Sequence, residues 1–559
     1  MALLALRLIL EALVLLTLST VFANIVQVWL GGRAKVRALR GVSGPPSKGF
    51  WFGNLRELLF SFGCGAAYNA VAEYGGIVKV EGLFGDFALL ISDHRAIAQI
   101  LLKDFDNFPV TDMGGSLDLN TYFLGAGLLS LNGVPHRRHR KALNPGFSPK
   151  HMRRLGQLVR DICCQVRDGI VVTARKGAWA SGSRTAEIDV GEWMNRAGVE
   201  IVAQASFGYS FGTLQKEEGN GEETEIVRAV KEMLPLLEQL GPWVPLFMIT
   251  GASRLPHRLV RFLGKTAGLV CPPIRKLIRA VDVLHGKTRE MWAARKADFA
   301  AGEDPNENCE LLSTILWQGY SEGGLSDEEV CAQMSTVLFA GSDTTSTTLS
   351  RALHMLALNP HVQDRLRDEL ERAEVLQELL HGEADEPVYN AIDALPYLDA
   401  VCRETIRECT PLPFRNRRAV RDCVVPLKDG SSVMIPGGSE ILINVHGCNR
   451  DEDLWGPDAH LWRPERWIEE SSLARVKEAA LPAVYMNSMS FLGGRKACIG
   501  FKFALLEMKT VLATVIPAVR FLPPQKQEIA WRFGPGVTVS TTDQFDDPMP
   551  RMPLRVEAL

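Results

Sequence analysis

The sequence predicts a mainly α-helical domain with small β-sheets, an α+β arrangement preceded by one N-terminal transmembrane helix. Three stretches carry that expectation. Ala12 to Leu30 runs without a charge, long enough to cross a bilayer as a helix. A capping box at Ser326-Asp327-Glu328-Glu329 opens an apolar-rich segment that continues to about Leu358 and stops at Asn359-Pro360, the pattern of one long helix. Ile77–Gly82 and Phe87–Ile91 are β-prone runs broken by Gly82 and Gly85-Asp86, the pattern of a hairpin.

In chain order, the apolar run is followed by Arg33, Lys35, Arg37 and Arg40. The positive-inside tendency keeps that cluster cytosolic. A cleaved signal peptide would have a shorter apolar region and no basic cluster behind it. Gly44-Pro45-Pro46 cannot continue a helix and makes a stiff, extended connection. The expected organisation is an anchor over residues 1–31, a basic and proline-rich hinge over 32–48, and one catalytic domain over 49–559. Length alone suggests several domains, with Gly- and acid-rich breaks near Lys216–Glu225, Ala301–Glu310 and Gly382–Pro387. A net charge of −3 leaves no footprint for nucleic acid. Eleven cysteines, odd in number and without framework spacing, read as thiols of a reducing compartment.

The chemistry concentrates near the C-terminus, in Phe491-Leu492-Gly493-Gly494-Arg495-Lys496-Ala497-Cys498-Ile499-Gly500 followed by helix formers from Phe501. Cys498 then sits at or just before a helix N-terminus, where orphan N–H groups and the helix dipole favour a thiolate. Gly494 and Gly500 allow the backbone close to the sulfur or to a flat ligand over it. Such a thiolate is what a haem iron needs as its axial ligand.

This loop resembles that of the cytochrome P-450 superfamily, Phe-x-x-Gly-x-Arg-x-Cys-x-Gly, with fungal members among the similar chains. Phe491, Gly494, Cys498 and Gly500 match in register; Lys496 stands at the arginine position, supplying charge without a bidentate fork. The resemblance spans about Pro45 to Leu554 and turns the three breaks into surface loops of one domain. It implies haem b ligated by Cys498. It also implies that His136, at the tryptophan place of a Trp-x-x-x-Arg helix, and Arg140 meet the haem propionates together with Lys496 and Arg417. In Ala340-Gly341-Ser342-Asp343-Thr344-Thr345, a glycine beside hydroxyl residues weakens the helical ladder. Local opening is expected there, and small Ala340 and Gly341 leave room for a diatomic. By resemblance, Thr344 would act on bound dioxygen and Asp343 would join the proton relay. Glu404, Arg407 and Arg466 occupy the places of a buried structural ion network, with Trp467 replacing a phenylalanine.

The function implied is a haem-thiolate monooxygenase. It would put one atom of O2 into a hydrophobic small molecule (terpenoid or steroid-like, fatty or aromatic), with electrons from NADPH. No flavin or nicotinamide motif is present, so those electrons would come through a separate NADPH–cytochrome P-450 reductase, with cytochrome b5 as a second donor. The implied location is the endoplasmic reticulum membrane, single-pass, with the catalytic domain cytosolic. A basic surface of Arg137, Arg138, Arg495 and Lys502 suits an acidic partner. Two rival readings stay open: a reductase-independent isomerase or peroxygenase, and a non-enzymatic haem-binding membrane protein. Leu119–Leu128, Val337–Ala340, Leu412–Phe414 and Phe533–Val537 are the expected, mostly apolar pocket linings. Gly241–Phe247 is either an entrance loop at the membrane or an ordinary loop.

Overall fold

The computed structural model describes residues 2–54, 73–111, 119–214, 225–243, 255–302, 311–373, 388–472, 481–485, 487–533, 536–541 and 551–559, with single positions 247, 250 and 474. Most of the three Gly- and acid-rich breaks, and much of the 241–247 loop, lie outside them.

Helix α1 spans Ala2–Ala38 and contains the apolar run. Among the described residues no helix is long and apolar enough to cross a membrane; the side chains of positions 12–14 and 16–17, inside the expected span, are not among those described. The C-terminal end of α1 rests on a hairpin of β1 (Ile77–Glu81) and β2 (Phe87–Ile91). Lys35 there forms an ion pair with Asp86 at 2.8 Å, and Gly32 lies where a Cβ would come 2.5 Å from Gly85 O. The Gly44–Pro46 connection is tied down as well: Ser43 O accepts from Lys79 N, and Pro46 O accepts from Asn54 Nδ2, both at 2.9 Å.

The helical bulk comes from α2 (Gly133–Leu143), α3 (Pro149–Ser181), α4 (Val190–Phe207), α5 (Glu225–Leu240), α6 (Asp327–Leu358), α7 (Pro396–Glu408) and α8 (Phe501–Val515). The capping box of α6 forms as the sequence predicts: Ser326 Oγ accepts from Glu329 N, and Glu329 Oε2 accepts from Ser326 N. Its 32 residues make a rod of roughly 48 Å. The expected local opening is absent. Thr344 and Thr348 return hydroxyl bonds to Ala340 O and Thr344 O at 2.8 Å, and the helix runs unbroken. Back-bonding of this kind adds to the ladder without replacing it.

Strands β3 (Phe414–Arg418) and β4 (Glu440–Asn444) join the hairpin in one sheet of order β1-β2-β4-β3. β4 runs parallel to β2 and antiparallel to β3, with Arg417 opposite Ile441 and Arg415 opposite Ile443. A two-stranded sheet of β5 (Ile529–Phe533) and β6 (Val537–Thr541) lies near the C-terminus. The main apolar core gathers α3, α4, α6, α7 and α8. α4 and α6 approach closely because both are glycine at the crossing. A Cβ on Gly198 would sit 3.0 Å from Ser342 O, and one on Gly341 would sit 2.9 Å from Val202 Cγ2.

Candidate active site

The loop before α8 is held by its own backbone. Cys498 N donates to Phe491 O at 2.9 Å and Ala497 N to Gly494 O at 3.1 Å. Gly494 has φ +70°, and a Cβ there would meet Leu101 O at 2.3 Å; glycine is required on both counts. Its neighbour Gly493 is given no role by the sequence reading. A Cβ on it would coincide with Pro482 O, 1.2 Å away. Gly500, the N-cap of α8, faces the Phe147 ring. Gly493 and Gly494 thus admit close protein neighbours, and the Gly500 N–H reaches the Cys498 sulfur, the close backbone approach expected of Gly500. Phe491 packs its ring against Tyr485 and Phe501.

Cys498 is exposed, yet desolvation is the largest influence on its thiol. Burial pushes the thiol above its ordinary value, opposed by the Gly500 N–H and by the charges of Arg415 and Arg140. The expected thiolate preference is thus not a property of the protein surroundings alone, because two guanidiniums and one N–H do not outweigh the lost hydration. A bound metal cation would displace the proton.

Two guanidiniums, Arg140 and Arg415, lie within electrostatic reach of the sulfur, and a third, Arg417, lies within reach of Arg415. Arg140, on α2, donates to Ala497 O at 2.6 Å and to Arg495 O at 3.2 Å. Arg417 is buried; its Nη1 donates to Asn416 O at 2.7 Å, and its Nε finds no partner among the described residues. Burial, then the charge of Arg415, lowers it to about 9. Arg415, two residues earlier on the same face of β3, is lowered to about 10 by burial and sits within electrostatic reach of Cys498. Sequence reading named Arg417 and overlooked Arg415; the period of two along a strand is the signal that finds it.

Among the described residues none of the three is in an ion pair with a carboxylate. That is the donor set a haem needs: a sulfur for the iron and unmatched guanidiniums for two propionates. Lys496 instead donates to Leu131 O. His136 is buried and is pushed down to about 4 by desolvation, then by Lys496 and Arg140. Burial beside these cations favours the neutral imidazole at neutral pH, which can still donate an N–H to a carboxylate.

On α6, Thr344 is half-buried and its Oγ1 donates to Ala340 O. Gly341 packs against Val202, so its missing side chain serves the crossing with α4 and does not make the room for a diatomic that the sequence suggested. Asp343 is raised to about 7 by desolvation. Being adjacent, Asp343 and Thr344 point about 100° apart around the helix.

Behind the loop lies the ion network. Arg407 forks onto Glu404 with bonds of 2.9 and 2.8 Å, and it donates to Asn449 O, Ala459 O and Leu461 O. Arg466 reaches Glu404 at 3.4 Å and Asp458 at 2.8 Å. Trp467 Nε1 donates to Glu404 Oε2 at 2.9 Å, a bond that phenylalanine at this position could not make. Of the proposed basic surface, Arg138 lies 3.5 Å from Glu329 and Arg495 lies 3.1 Å from Asp106.

The cytochrome P450 family model matches residues 44–544. A ganoderic acid synthetase of Ganoderma lucidum is 35% identical over 541 residues, covering 93% of this chain and 94% of that protein. Cytochrome P450 monooxygenases 91 and 81 of Postia placenta are 32% and 34% identical, covering 95% and 93% of this chain and 97% and 93% of their own.

Proposed function

Because this chain belongs to the cytochrome P450 family and is a monooxygenase of it, we propose that it inserts one atom of dioxygen into a hydrophobic small molecule, using NADPH electrons from a separate reductase. The observation that carries the reading is a sulfur, Cys498, within electrostatic reach of Arg140 and Arg415, which have no carboxylate partner among the described residues. When bound, a thiolate-ligated haem supplies the electron-rich iron that activates dioxygen. Cys498 Sγ would be its ligand, and Arg140, Arg415 and Arg417 would take its propionates, with His136 and Lys496 beside them. Asp343 holds a proton on its carboxyl up to about pH 7, and Thr344 Oγ1 is the neighbouring hydroxyl that passes it on. Leu412 and Val537, within two of the expected apolar linings, would orient substrate and exclude water.

We further place the chain in the endoplasmic reticulum membrane, anchored by α1 with the domain on the cytosolic side. Leu15, Leu18, Phe22 and Leu30 of α1 are exposed, which suits lipid contact, and the basic run after them suits a cytosolic boundary.

Membranes from cells co-expressing a reductase, washed in alkaline carbonate, test both parts. With NADPH and a panel of hydrophobic compounds that includes ganoderic-acid precursors, the expected result is a product one oxygen heavier. Turnover with peroxide but not with reductase and NADPH would favour the peroxygenase reading, and loss of the chain in the wash would remove the anchor. Thr344→Ala is expected to lower product per NADPH several-fold and raise peroxide release, since one acid–base group is worth roughly 10²-fold or more. Unchanged coupling would remove Thr344 from proton delivery.

A further inference from the structure

The turn that joins the short helix Leu119–Leu124 to α2 lies flush on α6. A Cβ on Gly125 would stand 2.9 Å from Ala332 Cβ, and one on Gly127 would stand 2.1 Å from Thr336 Oγ1. Ser130 Oγ donates to Gly125 O at 2.7 Å and Ser130 N to Gly127 O at 3.1 Å, so the turn holds its own shape. A buried polar relay ties it to the two helices. Leu128 N donates to Gln333 Oε1 on α6 at 3.0 Å, and the other end of that amide, Nε2, lies 2.7 Å from His139 Nδ1 on α2. Both side chains are buried. An amide nitrogen only donates, so Nδ1 must accept, and the neutral ring carries its proton on Nε2. That nitrogen lies 3.8 Å from Glu329 Oε1 and 3.4 Å from Arg138 Nη2. At its far end the turn accepts from Lys496 of the cysteine loop, through Leu131 O.

We propose that Gln333 and His139 form a proton-operated clasp, which docks this turn on α6 while the imidazole is neutral and releases it when the imidazole is charged. A second ring proton can go only to Nδ1, where it faces the Gln333 N–H groups, donor against donor. Turning the amide over relieves that clash at the ring but sets Nε2 against the Leu128 N–H. Either way one donor of a buried relay is left unpaired, and such a group costs more than the bond it replaces contributes. Among the described residues, the charged and titratable groups around the ring are Arg138 and His136 on α2 and Glu329 on α6. Burial and Arg138 hold the imidazole below its ordinary range, against the pull of Glu329. A histidine kept neutral by the fold loses its contribution as pH falls, so the clasp is closed at neutral pH and opens in acid. Release reaches the cysteine loop, because Leu131 O accepts from Lys496. The clasp goes beyond the monooxygenase reading and needs neither substrate nor turnover.

Hydrogen exchange of the full-length protein as purified tests this, read on a peptide covering 126–131 and corrected for the intrinsic pH dependence of exchange. In the native chain, protection of that peptide is expected to fall about tenfold in acid, roughly the worth of one hydrogen bond, while the amides of α6 stay protected. Gln333→Glu offers two acceptors, one for Leu128 N and one for a charged His139, so its turn should stay protected in the same acid. Gln333→Leu should be poorly protected at every pH. Full protection of the native turn in acid, equal loss in the native chain and in Gln333→Glu, or a Gln333→Leu turn protected like the native one would each overturn the clasp. If neither variant folds, the native titration decides: loss confined to the turn supports the clasp, and loss shared with α6 refutes it. Absence of a thiolate haem spectrum would sink the monooxygenase reading, while the exchange data would still decide the clasp.

Discussion

Cys498→Ser is expected to abolish the thiolate-type absorption of the reduced, carbon monoxide-bound protein and to reduce monooxygenation below detection. The reason is chemical more than structural. The loop is kept by backbone bonds from Cys498 N and Ala497 N, so serine leaves its shape intact. The flanking Arg140, Arg415 and Arg417 are also untouched, and haem could still be retained through its propionates. What is lost is the polarisable anionic sulfur that sends electron density to the iron. An alcohol in the same place gives up its proton far less readily than a thiol. The measurements are the absorption spectrum, haem content and product yield of the same preparation. A variant that keeps the native spectrum and turnover would require another ligand and would dismantle the assignment of this site.

The second large effect is expected at Arg407. It and Glu404 are completely buried, and the guanidinium ties three backbone carbonyls from 449 to 461 to α7. Glu404 in turn accepts from Arg463 N, Arg466 Nε and Trp467 Nε1. Arg407→Ala leaves a buried carboxylate without its main counter-charge and frees three buried acceptors. Breaking a buried pair from one side costs about 3 to 5 kcal/mol, against a total stability of about 5 to 15 kcal/mol. The expected outcome is protein that is largely insoluble or loses its haem, with a sharply lowered Tm in whatever remains. Arg407→Lys should fall between, since it keeps the charge but cannot fork. A well-folded Arg407→Ala protein with native haem content would show the network to be dispensable.

The parts that were legible beforehand share a property: each is a local pattern. The capping box of α6 is a four-residue motif whose partners are three positions apart. The Glu404 and Arg407 pair lies one helical turn apart, and the cysteine loop is contiguous from Phe491 to Gly500. Short-range geometry is dictated by period and turn chemistry, so such features appear in the chain before it folds.

What escaped is non-local. Arg415 matters because β3 brings it within electrostatic reach of Cys498, more than eighty residues away. Gly493 is compelled by a carbonyl at Pro482, Gly341 by Val202, and Trp467 by a carboxylate on α7. His136 loses its charge because the fold buries it beside Lys496 and Arg140.

The sequence by itself determined the family, the axial sulfur, the long helix and the class of chemistry, since those depend on residue type and spacing along one stretch. Only the tertiary structure decided which guanidiniums come within reach of the sulfur and which histidine stays neutral. Charge and solvation at a buried group are set by whatever distant segments close over it, and no spacing along the chain encodes that.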